Sequence, residues 1–266
     1  MDSIQAIILA VIEGVTEFLP VSSTGHMALA SAFMGIHKEP FTKLFEIVVQ
    51  FGAILSVVFL YRQKFLDFRR PAFYLKLAVA IVPALAFGAV FKSHIESVLG
   101  KPLVIASILL LGGVVLLFVD KWFDGQGLER EEDITYRQAI SIGLFQVLSI
   151  LLPGLSRSAA TIIGGMQQKL SRALAAEFSF FLAVPTMTAA TAKSLYDVYK
   201  ESPEVLDAGN VGTLLMGSVI AFVVAILAIR LFITFVQKNG FRVFGWYRIV
   251  VGGLLLALIL SGRLPS

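Results

Sequence analysis

Six apolar segments, each close to the length that a helix needs to cross a bilayer, constrain this 266-residue chain more than any other feature. About 20 consecutive apolar residues in a helix span the hydrocarbon core of a membrane. Unpaired backbone amides are costly in lipid, so such segments must be helical. The sequence therefore predicts an all-α polytopic membrane protein. Its predicted transmembrane helices cover residues 43–62, 73–92, 102–121, 172–196, 211–236 and 246–262.

Two further apolar segments are each interrupted by a proline, and neither part of them is long enough to cross a membrane. Residues 4–35 are broken at Pro20, and residues 138–168 are broken at Pro153-Gly154. Proline has no N–H and its ring clashes with the preceding turn, so a helix ends at such a position. Short helix pairs of this kind predict two re-entrant helix hairpins, which enter the membrane and return to the same side.

The two interrupted segments also indicate a weak internal repeat. Residues 18–22 (Phe-Leu-Pro-Val-Ser) resemble residues 151–156 (Leu-Leu-Pro-Gly-Leu-Ser), and three predicted spans follow each of them. Three is an odd number, so the second half must have the inverted topology. We therefore predict one membrane domain built of two inverted repeats, 1–122 and 138–266, joined by an exposed polar linker at 123–137. Inverted repeats with broken helices place their site near the midplane, where the breaks face each other.

Lysines and arginines give the predicted orientation, because cytoplasmic loops carry an excess of them. Their distribution places the 63–72 loop in the cytoplasm, with Arg248 on the same side. Both chain ends are then outside, the first hairpin enters from the outside and the second from the cytoplasm. Asp2 and Glu13 argue against a cleavable signal peptide. The absence of cysteine excludes disulfides and thiolate chemistry.

The segment Glu13–His26 places two acids, hydroxyl groups and an imidazole inside apolar sequence. Glu13 and Glu17 are one i,i+4 step apart on a helix, so their side chains point the same way. Two carboxylates in apolar surroundings need a shared cation or a guanidinium. Ser22, Ser23 and Thr24 then open a new helix, whose free N–H groups can bind an anion.

The segment that follows Pro153 carries a second group of polar residues, Gly154-Leu155-Ser156-Arg157-Ser158. An arginine this far from the end of a span is costly without an anion nearby. Its planar guanidinium matches phosphate oxygens, and the adjacent hydroxyl groups again start a helix. The alternative is a structural ion pair between Arg157 and either Glu13 or Glu17.

Two segments, Glu-Gly-Val-Thr-Glu-Phe-Leu-Pro-Val-Ser-Ser-Thr-Gly-His (13–26) and Pro-Gly-Leu-Ser-Arg-Ser-Ala-Ala-Thr (153–161), resemble the signature regions of the bacterial undecaprenyl-diphosphate phosphatase family, also called the bacitracin-resistance proteins. The resemblance covers essentially the whole chain. It implies a multi-pass enzyme of the bacterial inner (plasma) membrane that converts undecaprenyl diphosphate to undecaprenyl phosphate and inorganic phosphate. That reaction recycles the lipid carrier for peptidoglycan synthesis and confers bacitracin resistance. The resemblance also implies a divalent cation, Mg²⁺ or Ca²⁺, and suggests an active site that faces the periplasm.

The predicted site residues fall into three groups. The catalytic residues are Glu17, Ser23, His26 and Arg157; the metal ligands are Glu13 and Glu17; the diphosphate-binding residues are Ser22, Gly154, Ser156, Arg157, Ser158 and Thr161. Ser23 and His26 are both candidate nucleophiles, and His26, one helical turn away, is a candidate base for Ser23. This sequence departs from the family pattern at Ala159, where many relatives carry glycine.

Other interpretations stay open at this point. The runner-up function is a lipid flippase or secondary transporter built on the same inverted repeat. A weaker option is an ion pathway lined by Glu13 and Glu17. Glu46, Gln50 and Glu177 are predicted to be structural hydrogen-bonding groups at the starts of spans. The predicted partners are the lipid diphosphate, membrane lipid and a second copy of the chain in a homodimer, with no nucleic acid.

Overall fold

The structure is a computed structural model that describes residues 1–91, 98, 101–123 and 127–262. Regular structure in these residues is helical, apart from one isolated bridge between Leu128 and Leu170. The α-helices are α1 (Ser3–Thr16), α2 (Ser23–Phe33), α3 (Pro40–Leu60), α4 (Arg62–Phe65), α5 (Pro71–Val90), α6 (Pro102–Trp122), α7 (Tyr136–Leu151), α8 (Arg157–Gln167), α9 (Arg172–Glu201), α10 (Ala208–Asn239) and α11 (Arg242–Leu260). Two short 3₁₀ helices lie at Glu131–Asp133 and Pro203–Leu206. The all-α prediction is confirmed.

Six of these helices are long and apolar enough to cross a membrane, namely α3, α5, α6, α9, α10 and α11. Each lies on one of the six predicted spans, which confirms a polytopic membrane protein. Pro40, Pro71 and Pro102 open α3, α5 and α6. A proline in the first turn costs no hydrogen bond, because the N–H that it lacks has no partner within the helix.

The two proline-interrupted segments form the short helix pairs α1–α2 and α7–α8. Both second helices are 11 residues long, and both first helices begin with a capping box. Ser22 precedes α2 with φ 70°, and Ser156 precedes α8 with φ 75°. The chain therefore breaks at both places where the sequence predicts it. Re-entry into the bilayer and the inverted relation of the two halves stay predictions.

The second helices of the two pairs also end alike. Gly35 follows α2 with φ 73°, and Lys169 occupies the matching position after α8 with φ 64°. One residue further on, the N–H groups of Ile36 and Leu170 each bond back to a carbonyl in the last helical turn at 3.0 Å. This is the Schellman arrangement, which normally takes glycine where the chain has Lys169.

Glycines bring several helices of the bundle into close contact. A Cβ at Gly52 of α3 would overlap the backbone of Ser218 in α10, and one at Gly143 of α7 would overlap the backbone of Ala80 in α5. Small residues let helix backbones approach where lipid supplies no hydrophobic driving force. The same principle applies between α6 and α11, where Gly113 packs against α11.

The linker between the halves is less exposed than expected. Glu131 is only 2% exposed and pairs with Arg70 at 3.1 Å and Lys64 at 3.6 Å. Lys76, also buried, donates to the carbonyl oxygens of Glu131 and Glu132 at 2.9 and 2.8 Å. The expectation of an exposed linker is therefore wrong at Glu131, because the cations around the 63–72 loop draw this acid inward.

Candidate active site

The two helix breaks meet inside the bundle and line part of a cavity of about 280 Å³. Ser158 at the start of α8 donates to the carbonyl oxygen of Leu19 in the first break at 2.7 Å. Of the predicted site residues, six line the cavity: Glu17, Ser22, Ser23, Gly154, Ser156 and Arg157. Its remaining walls are Thr24, Gln50, Gln146, Ser149, Ile150, Pro153, Thr186 and Met187. The structure thus brings predicted site residues of both motifs to one cavity, whose lining residues are mostly polar.

Three charged or hydroxyl side chains form a hydrogen-bonded chain on the cavity wall. Arg157 Nη2 lies 2.9 Å from Glu17 Oε1, and Ser23 Oγ donates to Glu17 Oε2 at 2.6 Å. Glu17 caps the C-terminus of α1, while Ser23 and Arg157 are the first residues of α2 and α8. The three side chains meet because their residues flank the two helix breaks, which pack against each other. The ion pair considered from the sequence exists, and its partner is Glu17.

The Arg157 guanidinium has capacity left for another acceptor. Its Nη1 donates to the Ser179 carbonyl oxygen at 3.1 Å. Its Nε is buried and has no hydrogen-bond partner among the described residues. A buried donor without a partner is costly, so an anion in the cavity would be stabilised here.

Glu13 lies behind Glu17 and is fully buried. Neither of its carboxylate oxygens has a hydrogen-bond partner in the part of the chain that the structure describes. Its charged neighbours are Glu17, Glu46 and Arg157. Carboxylate oxygens suit Mg²⁺ or Ca²⁺. The described residues contain no group of three or more His, Cys, Asp or Glu that could hold an ion, so a cation here would also need oxygens from substrate or water.

His26 is not among the described residues that line the cavity. Its Nδ1 lies 2.9 Å from the Ser22 carbonyl oxygen, and its Nε2 lies 2.7 Å from the Tyr247 hydroxyl of α11. The two rings stack with their centroids 5.6 Å apart. The contact that His26 would need as the base for Ser23, one of its candidate roles, is therefore not formed. Ser23 Oγ donates to Glu17 instead, which the spacing of Ser23 and His26 along α2 could not show.

Two predicted diphosphate-binding residues are buried behind the cavity wall. Ser158 contacts Leu19 and the Ser156 hydroxyl, at 3.0 Å for the latter. Thr161 lies 2.6 Å from the Ser179 hydroxyl and donates to the Arg157 carbonyl oxygen at 2.9 Å. These side chains hold the start of α8 in place, and the structure does not bring them to the cavity.

The sequence predicts no site role for Arg248, and the prediction that Arg248 faces the cytoplasm is wrong. It is 0% exposed, and all its hydrogen bonds in the described chain go to carbonyl oxygens. The acceptors are Leu109 at 3.1 Å, Pro20 at 3.1 Å, Leu155 at 2.8 Å and Gly154 at 3.0 Å. The predicted span began at residue 246, but α11 begins at Arg242, so Arg248 lies well inside the helix. An arginine within a span is by default a candidate functional residue, and that signal was present.

Polar side chains on the long helices complete the cavity. Gln50, predicted to be structural, lies on the wall, as do Gln146 and Thr186, which bond to each other at 3.3 Å. Gln146 Oε1 is buried without a partner among the described residues. The sequence signal was an amide inside an otherwise apolar helix, which needs a hydrogen-bonding reason to be there.

Fold and cavity together define a multi-pass membrane protein with a polar, arginine-containing site where two broken helices meet. The chain matches the family described as "Bacitracin resistance protein BacA" over residues 6–254, and it belongs to that family.

Named relatives resemble the chain over nearly its full length. A protein of Flavobacterium johnsoniae named "Undecaprenyl-diphosphatase" is 56% identical over 259 residues, which cover 97% of this chain and 96% of the relative. Proteins with the same name are 50% identical in Porphyromonas gingivalis, with 98% of both chains covered, and 47% identical in Bdellovibrio bacteriovorus, with 99% and 98% covered.

Proposed function

We propose that the chain is an undecaprenyl-diphosphatase, a membrane phosphatase that hydrolyses undecaprenyl diphosphate to undecaprenyl phosphate and inorganic phosphate. The similarity to full-length relatives of that name supports the proposal. The structural observation that carries it is the hydrogen-bonded chain from Arg157 through Glu17 to Ser23 on the cavity wall. The comparisons do not favour the flippase or transporter alternative.

The cavity suits a phosphorylated headgroup. Its volume of about 280 Å³ is at the lower limit of typical ligand pockets, about 300 Å³, so the headgroup fits inside while the long tail stays in the membrane. Arg157 and the N-termini of α2 and α8 supply the positive charge that a diphosphate needs.

Ser23 is the nucleophile that the geometry supports. It lies on the cavity wall and points its proton at Glu17, which makes Glu17 the base. The Ser23 oxygen attacks the terminal phosphorus, and its proton passes to Glu17. The bond from that phosphorus to the bridging oxygen breaks, so undecaprenyl phosphate leaves. Water then hydrolyses the phosphoserine and releases inorganic phosphate.

Arg157 serves the same step by contacting two anions at once. Its Nη2 holds Glu17, and its Nε is free to donate to a phosphoryl oxygen as a further partner. Charge that develops on the transferred phosphoryl group is then stabilised by a donor already in place. His26 supports the site from outside the cavity, through its contact with the Ser22 carbonyl oxygen.

Glu13 and Glu17 would hold a divalent cation, Mg²⁺ or Ca²⁺, together with diphosphate oxygens. The two unpartnered oxygens of Glu13 support this assignment. When bound, the cation neutralises charge on the diphosphate.

We place the reaction in the bacterial inner membrane, with the cavity open to the periplasm, where it recycles the carrier for peptidoglycan synthesis and confers bacitracin resistance. The family resemblance suggests the periplasmic side, and the excess of Lys and Arg on the predicted cytoplasmic side is compatible with it. The homodimer stays a prediction.

Phosphate release from a long-chain prenyl diphosphate tests the proposal directly. Detergent-solubilised protein is assayed with Mg²⁺ and again with a chelator. We expect cation-dependent release of one phosphate per substrate. Folded, monodisperse protein that releases no phosphate with Mg²⁺ present would refute the proposal.

A further inference from the structure

Arg248 bonds both helix breaks at once, although it does not belong to the described residues that line the cavity. One guanidinium nitrogen, Nη1, donates to Pro20 in the first break and to Leu155 in the second. Nη2 donates to Gly154, and Nε donates to Leu109 of α6. A single buried side chain on α11 therefore fixes the distance between the two breaks.

The partners of Arg248 show what the contact is for. Removing a guanidinium from water is costly, and carbonyl oxygens repay that cost only if several of them converge with good geometry. Here they converge from α6 and from both breaks, each within 3.1 Å of the guanidinium. The arrangement therefore depends on the path of both breaks, not on one neighbouring helix.

These bonds also orient the peptide groups that open α8. In a trans peptide the C=O and N–H point in opposite directions. The Leu155 carbonyl oxygen points at Arg248, so the N–H of Ser156 points away from it. Ser156 lines the cavity and caps α8, one residue before Arg157. Arg248 thus sets the direction of a backbone donor at the cavity.

We propose that Arg248 is a positioning residue for phosphoryl transfer. It holds both breaks so that Ser23 from one and Arg157 with the α8 N–H groups from the other face the same phosphorus atom. The proposal rests on the proposed function. It also predicts that Arg248 affects the chemical step and anion binding more than it affects capture of the lipid tail.

Gly112 offers a way to move the guanidinium without changing the cavity wall. A Cβ at Gly112 in α6 would overlap Arg248 Nη2, and its next neighbour is Cζ at 3.0 Å. The group that must shift is the end of a side chain and not backbone, so Gly112→Ala is expected to fold with the guanidinium displaced from some of its acceptors. Gly253→Ala on α11 is the matched control, because the nearest atom to its added Cβ is Leu110 Cδ1 at 4.0 Å.

The experiment compares wild-type protein with Gly112→Ala, Arg248→Lys and Gly253→Ala in detergent. Thermal unfolding, kcat, KM for a long-chain prenyl diphosphate and the inhibition constant of orthovanadate are measured for each. Misplacement of a reacting group by about 1 Å costs up to about 100-fold in rate, so we expect kcat to fall about 10- to 100-fold in Gly112→Ala and Arg248→Lys. The orthovanadate inhibition constant should rise in parallel, while KM stays within about twofold, since uniform substrate binding is kept. Gly253→Ala should match wild type.

Each other outcome overturns the inference. Folded Gly112→Ala and Arg248→Lys proteins with wild-type kcat and orthovanadate inhibition would show that the bonds of Arg248 to the two breaks do not position the site. A loss carried wholly by KM would do the same. If both variants fail to fold while Gly253→Ala folds, Arg248 holds the fold and not the site. An inactive wild-type protein is a different result, because it contradicts the proposed function.

Discussion

Replacement of Arg157 by alanine tests the assignment of the anion site most directly. The guanidinium bonds Glu17 at 2.9 Å and the Ser179 carbonyl oxygen at 3.1 Å, and its buried Nε has no partner among the described residues. Because the residue lines the cavity, the removed donors are those that would meet a phosphoryl oxygen.

The size of the effect follows from these contacts. Loss of one preorganised donor to a developing anion costs about 100- to 1,000-fold in kcat, or about 2.7–4 kcal/mol. We therefore expect Arg157→Ala to lower turnover by at least about 100-fold. Arg157→Lys keeps the charge but loses the planar fork, so it should recover only part of that loss.

Stability must be measured alongside turnover, because Arg157 also neutralises Glu17. Removing one partner of a buried ion pair costs up to about 3–5 kcal/mol, and the open cavity reduces this penalty at Glu17. The double variant Glu17→Gln/Arg157→Ala isolates the effect on stability, because it removes the guanidinium without leaving Glu17 as an unpaired carboxylate. Arg230→Ala, at an exposed arginine of α10, is the control.

The assay is steady-state phosphate release, with thermal unfolding followed in the same detergent. If folded Arg157→Ala protein turns over within about threefold of wild type, Arg157 makes no charged contact to the transition state and its assigned role is incorrect.

Three further predictions follow from single side chains. Ser23→Ala should abolish turnover and leave no phosphoserine detectable by mass spectrometry after rapid quenching, whereas His26→Ala should keep the phosphoserine and lower turnover less, because His26 lies off the cavity. Glu13→Gln should raise the thermal unfolding temperature, since it removes an unpaired buried acid, and should raise the Mg²⁺ concentration for half-maximal activity at least about tenfold. Lys169→Gly should raise the free energy of unfolding by up to about 1 kcal/mol. The change relieves the strain of a left-handed backbone at lysine, and the greater entropy of glycine in the unfolded chain offsets part of that gain.

These predictions have separate contrary outcomes. If phosphoserine is detected in Ser23→Ala as well as in His26→Ala, the nucleophile is a residue other than Ser23. Unchanged Mg²⁺ dependence in Glu13→Gln would remove Glu13 from the cation site. A lower unfolding temperature in Lys169→Gly would mean that the Lys169 side chain contributes contacts that outweigh its backbone strain.

Much of the architecture could be predicted from the sequence because it depends on local physics. Helix length and apolar composition identify the spans, and Pro20 and Pro153 break their helices within a few residues. The pairing of Arg157 with an acid of the first motif was also one of two alternatives that the sequence left open. Each of these inferences needs only the cost of a charge or an unpaired amide in apolar surroundings.

The remaining features depend on contacts between residues far apart in the chain. His26 is drawn to Tyr247, which lies 221 residues away, and Arg248 reaches Pro20 across 228 residues. The i,i+4 spacing treats Glu13 and Glu17 as equivalent, but only Glu17 reaches the cavity wall. No local pattern could separate the two acids, because their difference arises from where the second break packs.

The anchored linker has a consequence for how the two halves move. The Leu128 N–H bonds Lys169 and its carbonyl oxygen accepts from Ser171, while Glu131 is held by Arg70. The linker is thus bonded to residues of both halves at this end of the bundle. A transporter that tilts one half against the other, to expose its substrate first on one side of the membrane and then on the other, would need a flexible linker there. These bonds instead favour two halves that keep their relative position, so that substrate enters and product leaves without a rocking motion.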